Sequence, residues 1–152
     1  KTMIDINGMA HIVLTVRKWD EAKAFYGRLL PEMGMKKVFD GEKFFYHVGA
    51  RTAIAISRSE LDDPEDRFVQ QRVGLHHFCL RAKSREDVDR TAALAKELGA
   101  SMVRGPMDGD WAPGYYYVLF EDPDGIRFEV NYVPGQGVLK EGLGEIKPTG
   151  YR

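Results

Sequence analysis

Met9-Ala10-His11-Ile12-Val13-Leu14-Thr15-Val16 alternates in apolar character as a half-buried strand does, and Leu75-His76-His77-Phe78-Cys79-Leu80-Arg81-Ala82 repeats the shape with His77 in the place of His11. A unit that recurs along a chain constrains the whole architecture, so this match governs the reading of what lies between. Each strand runs into a helical pattern. The first covers about residues 19–33, with Asp20 as its expected cap and Ala22, Phe25, Tyr26, Leu29 and Leu30 on one face, and Gly34 stops it. Pro31 falls late in this stretch, where it kinks or shortens a helix. The second covers about residues 85–98, capped by Ser84, with Val88, Ala92, Leu94, Ala95 and Leu98 turned inward and Gly99 as its stop.

Three strand-like stretches follow each helix, near residues 35–38, 43–48 and 51–57 in the first half and 101–105, 115–120 and 126–133 in the second. The last two are joined by Glu121-Asp122-Pro123-Asp124-Gly125, whose Pro-Asp-Gly core is a strong turn signal, and Gly49-Ala50-Arg51 is its shorter counterpart. The expected fold is α+β, two tandem βαβββ modules forming a curved mixed sheet with helices on its convex face. The expected division is an N-terminal extension over 1–8, modules over 9–58 and 74–133, a polar linker over 59–73, and a Gly-rich tail over 134–152.

The 152 residues suffice for one compact domain or for two small modules sharing a core, and the 43% apolar and 11% aromatic content suits a folded chain. Twenty-two Lys and Arg against 23 Asp and Glu leave a formal charge of -1 and no sustained basic stripe, which argues against nucleic acid as a partner. Cys79 is the only cysteine, so a reducing, cytoplasmic setting is expected, and no apolar run is long enough to span a membrane.

A paired βαβββ with His near the start of each half and Asp122-Pro123-Asp124-Gly125-Ile126-Arg127-Phe128-Glu129 near the end of the second resembles the vicinal oxygen chelate superfamily over about residues 8–133. Its members include glyoxalase I, extradiol dioxygenases, methylmalonyl-CoA epimerase, fosfomycin-resistance thiol transferases and metal-free bleomycin-binding proteins. The resemblance implies that each module curls into a half-barrel. It further implies metal ligands at His11, His77 and Glu129, while repeat matching puts Ala55, which cannot ligate, at the fourth position often held by glutamate. Residues two apart on a strand share a face, so His11 brings Val13 and Thr15 forward, His77 brings Cys79 and Arg81, and Glu129 brings Arg127 and Asn131. A slip of one residue would exchange His77 for His76.

Two imidazoles and one carboxylate fill half an octahedron and favour Fe(II), with Mn, Ni, Co or Zn also accepted. A substrate with two adjacent oxygens would complete the site, for glyoxalase-like lyase or isomerase chemistry or for dioxygenase chemistry; a metal-free protein sequestering a small aromatic drug or metabolite is the alternative. Glu129 and His47 are the candidate catalytic residues, His47 being either a general acid or base or a buried structural imidazole. Matching Phe45-Tyr46-His47 to Tyr117-Val118-Leu119 puts Phe45, His47, Tyr115 and Tyr117 on the cavity face. Residues 106–114 read as a mobile loop whose Trp111 either walls the substrate or staples the loop. Arg81 and Arg127 either clamp a substrate carboxylate or compensate nearby acids. Open sheet edges make a homodimer the expected assembly, with each site built from one chain or from two.

Overall fold

A computed structural model describes residues 4–135, so the tail expected over 134–152 lies almost wholly outside the described residues. The chain divides into two compact units between Asp66 and Arg67, each with one helix and one open four-stranded mixed sheet. No helix among the described residues is long and apolar enough to cross a membrane.

The first unit runs β1 (Ile12–Val16), α1 (Trp19–Glu32), β2 (Lys36–Asp40), β3 (Phe44–Gly49) and β4 (Thr52–Arg58). Its sheet order is β1-β4-β3-β2, with β1 parallel to β4 and the other pairs antiparallel. Ala22, Phe25, Tyr26, Leu29 and Leu30 of α1 are all buried, as their 3.6-residue spacing requires. The cap differs from expectation. Lys18 precedes the helix with no side-chain capping bond, and Asp20 lies in the first turn, where its charge faces the positive end of the helix dipole. Pro31 is accommodated inside the last turn, and Gly34, at φ +80°, closes the helix: Gly34 N–H donates to the Pro31 carbonyl and Met35 N–H to the Leu30 carbonyl.

The second unit runs β5 (Phe78–Arg81), α2 (Arg85–Glu97), β6 (Ser101–Asp108), β7 (Tyr116–Glu121) and β8 (Arg127–Tyr132), in sheet order β5-β8-β7-β6. Ser84 caps α2, its Oγ accepting from Asp87 N–H at 3.1 Å. Gly99 and Ala100 close α2 through bonds to Lys96 and Ala95, the same closure that Gly34 and Met35 make in the first unit. Phe78 and Phe120 pack on Phe128, with ring centroids 4.3 and 5.0 Å away, beside buried Val88, Ala92 and Ala95 of α2. Asp122 Oδ1 accepts from the backbone N–H groups of Asp124 and Ile126, which ties down the Pro-Asp-Gly turn. β6 runs on to Asp108 through two irregularities in its pairing with β7, so residues 106–108 belong to a strand rather than to the expected loop.

Candidate functional site

Strand register assigns the faces of the second unit. Cys79 pairs with Glu129, Glu129 with Leu119, Asn131 with Arg81 and with Tyr117, and Arg127 with Glu121. These residues share the face opposite α2. The helix-facing set is Phe78, Phe120, Phe128, Val118 and Val130, together with Tyr116, whose hydroxyl donates to Asp89 of α2. On the other face, Ala112, Tyr115, Tyr117 and Leu119 form a buried cluster, with Val103, Trp111 and Val133 packed against it.

Glu129 stands beside this cluster and is itself buried. Its Oε2 accepts two hydrogen bonds, one from the Tyr115 hydroxyl at 2.5 Å and one from the Cys79 thiol at 3.0 Å. Its Oε1 lies 4.0 Å from Nε2 of His77. The Nδ1 atom of His77 is 2.7 Å from Nδ1 of His76, and His76 in turn meets Nε2 of Gln70. This leaves Nε2 as the His77 nitrogen aimed at the carboxylate. Burial pushes the Tyr115 pKa up, and its bond to Glu129 adds to the shift; the hydroxyl therefore stays protonated and keeps donating. Cys79 is exposed at the surface of the described chain, yet crowding around its sulfur, followed by the charge of Glu129, pushes its pKa up and favours the thiol. His76 is held below its ordinary pKa by burial, then by His77 and Arg127.

The first unit carries the matching frame. His11 immediately precedes β1 as His77 precedes β5, and Val13 pairs with Ala55 in the same parallel register as Cys79 with Glu129. Ala55 therefore occupies the structural position of Glu129. Tyr46 pairs with Ala55 and Phe44 with Ser57, which makes Tyr46 the counterpart of Leu119 and Phe44 that of Tyr117. The expected match of Phe45 and His47 to Tyr117 and Leu119 is off by one residue, and in a strand that slip reverses the face. Phe45 packs on Trp19 of α1, with ring centroids 5.4 Å apart, and His47 pairs with Ile54 in the core. Neither reaches the face that carries Val13 and Ala55.

The second unit thus brings together His77, Glu129, Tyr115, Tyr117 and, at the edge of the cluster, Trp111. Trp111 packs against the cluster. Arg81 is exposed on the same face, and Arg127 Nε donates to Glu121 at 3.3 Å, so it compensates an acid. Cys79 is the member that sequence reasoning left without a role. Parity placed it beside His77, but only the β5 to β8 register shows that it meets Glu129. Among the described residues no group of three or more His, Cys, Asp or Glu side chains is gathered as a ready ligand set. The donors still suit a divalent ion in kind: an imidazole nitrogen and a carboxylate oxygen stand side by side, and His11 occupies the equivalent strand start of the first unit.

The chain is similar to known proteins over most of its length. YqjT, an uncharacterized protein of Bacillus subtilis (strain 168), is 29% identical over 125 residues, covering 80% of this chain and 96% of that one. The crystal structure of a candidate glyoxalase from Bacillus halodurans matches with a TM-score of 0.73 at 27% identity, over 84% of this chain and 96% of that one. Lactoylglutathione lyase from Agrobacterium tumefaciens shares the fold, with a TM-score of 0.59 at 22% identity over 84% of this chain and 94% of that one. Residues 8–130 match the Glyoxalase/Bleomycin resistance protein/Dioxygenase superfamily, and the chain belongs to it.

Proposed function

We propose that the protein is a divalent-metal-dependent enzyme in which His11, His77 and Glu129 are the protein ligands and a small substrate binds through two adjacent oxygens. The observation that carries this reading is the pairing of His77 Nε2 with Glu129 Oε1, 4.0 Å apart beside a buried aromatic cluster. Fe(II) suits the donor set best, and Mn, Ni, Co or Zn are accepted by it. When bound, the ion supplies a Lewis acid that stabilises negative charge on a substrate oxygen.

Lyase or isomerase chemistry is the reading to test first, with dioxygenation as its rival at the same ligand set. Glu129 takes hydrogen bonds from the Tyr115 hydroxyl and the Cys79 thiol on Oε2, which stabilise it as a carboxylate beside His77. Tyr117, Leu119 and Trp111 exclude water from that side of the carboxylate. Arg81 is the nearby cation open to a substrate carboxylate. The ligands are contributed within one chain or across two copies in a homodimer, and mixing His11→Ala with Glu129→Ala protein separates these cases, because activity returns only if sites are shared.

Protein loaded in turn with each metal should isomerise a hemithioacetal and lose that activity in Glu129→Gln. Oxygen uptake with catechols instead would transfer the assignment to dioxygenase chemistry. One observation favours a second reading: the buried aromatic cluster beside Glu129 suits a flat ligand. Turnover of neither substrate, together with tight binding of an aromatic compound by metal-stripped protein, would establish this metal-free binding role.

A further inference from the structure

Glu129 has two chemically equal oxygens, yet the fold treats them differently. Oε2 takes the Tyr115 hydroxyl at 2.5 Å and the Cys79 thiol at 3.0 Å, whereas Oε1 is turned to His77 Nε2 at 4.0 Å. The thiol has one hydrogen to give. Its other neighbour, the Leu80 carbonyl, is 3.6 Å away, so the shorter and charge-assisted bond to the carboxylate prevails. Both donors are held in place: Cys79 is the direct cross-strand partner of Glu129, and Tyr115, just before β7, sits in the buried cluster against Tyr117, with ring centroids 5.6 Å apart.

We infer that Tyr115 and Cys79 are positioning residues that occupy Oε2 of Glu129 and so reserve Oε1 as the single oxygen offered to a divalent ion. This rests on the metal-dependent reading above. It gives Cys79 a role that neither ligation nor nucleophilic attack supplies, and it gives Tyr115 one distinct from contact with substrate. Hydrogen-bonded partners of this kind orient a ligand, and their loss typically weakens metal affinity about 10–100-fold.

The test measures Co(II) and Mn(II) dissociation constants for full-length wild type, Tyr115→Phe, Cys79→Ala, Cys79→Ser and the double variant Tyr115→Phe/Cys79→Ala. The metal-free melting temperature of each is recorded alongside. In parallel, infrared difference spectra of protein labelled with ¹³C-carboxyl glutamate report the splitting of the carboxylate stretches, wide for one bound oxygen and narrow for two. Weaker metal binding by about 10-fold or more in Tyr115→Phe and in Cys79→Ala, near-wild-type binding in Cys79→Ser, which keeps a donor, and a narrowed splitting in the double variant are expected. A merely structural role would lower melting temperature without changing the splitting. If wild type binds metal and the variants match it in affinity and splitting, the positioning role is overturned while the metal site stands. If wild type binds neither ion, the metal reading itself fails. Should Tyr115→Phe not fold, the contrast between Cys79→Ala and Cys79→Ser decides alone.

Discussion

At 0% exposure, both ring nitrogens of His47 lie in the core of the first unit with no hydrogen-bond partner among the described residues. Burial pushes its pKa below the ordinary histidine value; Lys37, its cross-strand partner on β2, pushes the same way, and Asp40 opposes. A histidine kept neutral in the folded state favours the unfolded chain once that chain can take up a proton. Its effect on stability is therefore absent well above pH of about 6.5 and grows as pH falls below it. His47→Leu should flatten the acid limb, so that the variant gains stability over wild type as pH falls below about 6.5, measured by urea unfolding across pH. An unchanged acid limb would mean that His47 is satisfied by bound water. The same residue shows where sequence reading slipped. Alternation was legible in Phe44 to Val48, but aromatic residues and histidine suit either face of a strand, so the pattern could not choose a parity. The pairings of Tyr46 with Ala55 and of Phe45 with Ile56 decide it. On β1, β5 and β8 the polar and apolar faces differ sharply, so the parity that separates Val13, Cys79 and Glu129 from Leu14, Phe78 and Phe128 was legible in the sequence.

Helix ends are where local chemistry speaks most clearly, and the two helices give unequal examples. Ser84 both caps α2 and hydrogen-bonds Asp87 through its hydroxyl at 2.9 Å, so Ser84→Ala should cost about 1 kcal/mol in chemical denaturation. A loss under a few tenths would mean that water replaces the cap. No such side chain precedes α1: Asp20, although of capping type, lies within its first turn and Lys18 takes the cap position. Both glycine stops were legible because only glycine adopts φ near +80° without strain. The extension of β6 was not legible, since Gly105-Pro106 reads as a strand breaker and only tertiary pairing carries the strand across. Gly105 has φ +80°, and a Cβ placed there would lie 2.3 Å from the Tyr117 carbonyl oxygen. Gly105→Ala should therefore destabilise the second unit by about 3 kcal/mol or more, read as a lowered denaturation midpoint at unchanged slope. Wild-type stability in that variant would show that β6 can shift away from β7.

Across the whole chain, the internal repeat was the most informative feature, because it fixed two equal βαβββ units before any contact was known. The structure adds that the repeats are equal in register as well as in element order: Val13 to Ala55 and Cys79 to Glu129 are the same pairing, and only the second of the two matched positions carries a carboxylate. That asymmetry is what makes a three-ligand set, with one histidine from each repeat and one carboxylate from the second, the account's central claim. It is tested most directly by equilibrium dialysis of metal-stripped protein against Fe(II), Mn(II), Ni(II), Co(II) and Zn(II), counting bound metal in wild type, His11→Ala, His77→Ala, Glu129→Ala and His47→Leu. The account predicts about one ion per chain in wild type and in His47→Leu. Each of the other three substitutions should weaken binding by more than the roughly 10–100-fold that follows loss of a supporting partner. Absence of bound metal at micromolar supply, or binding that survives all three substitutions, would contradict it.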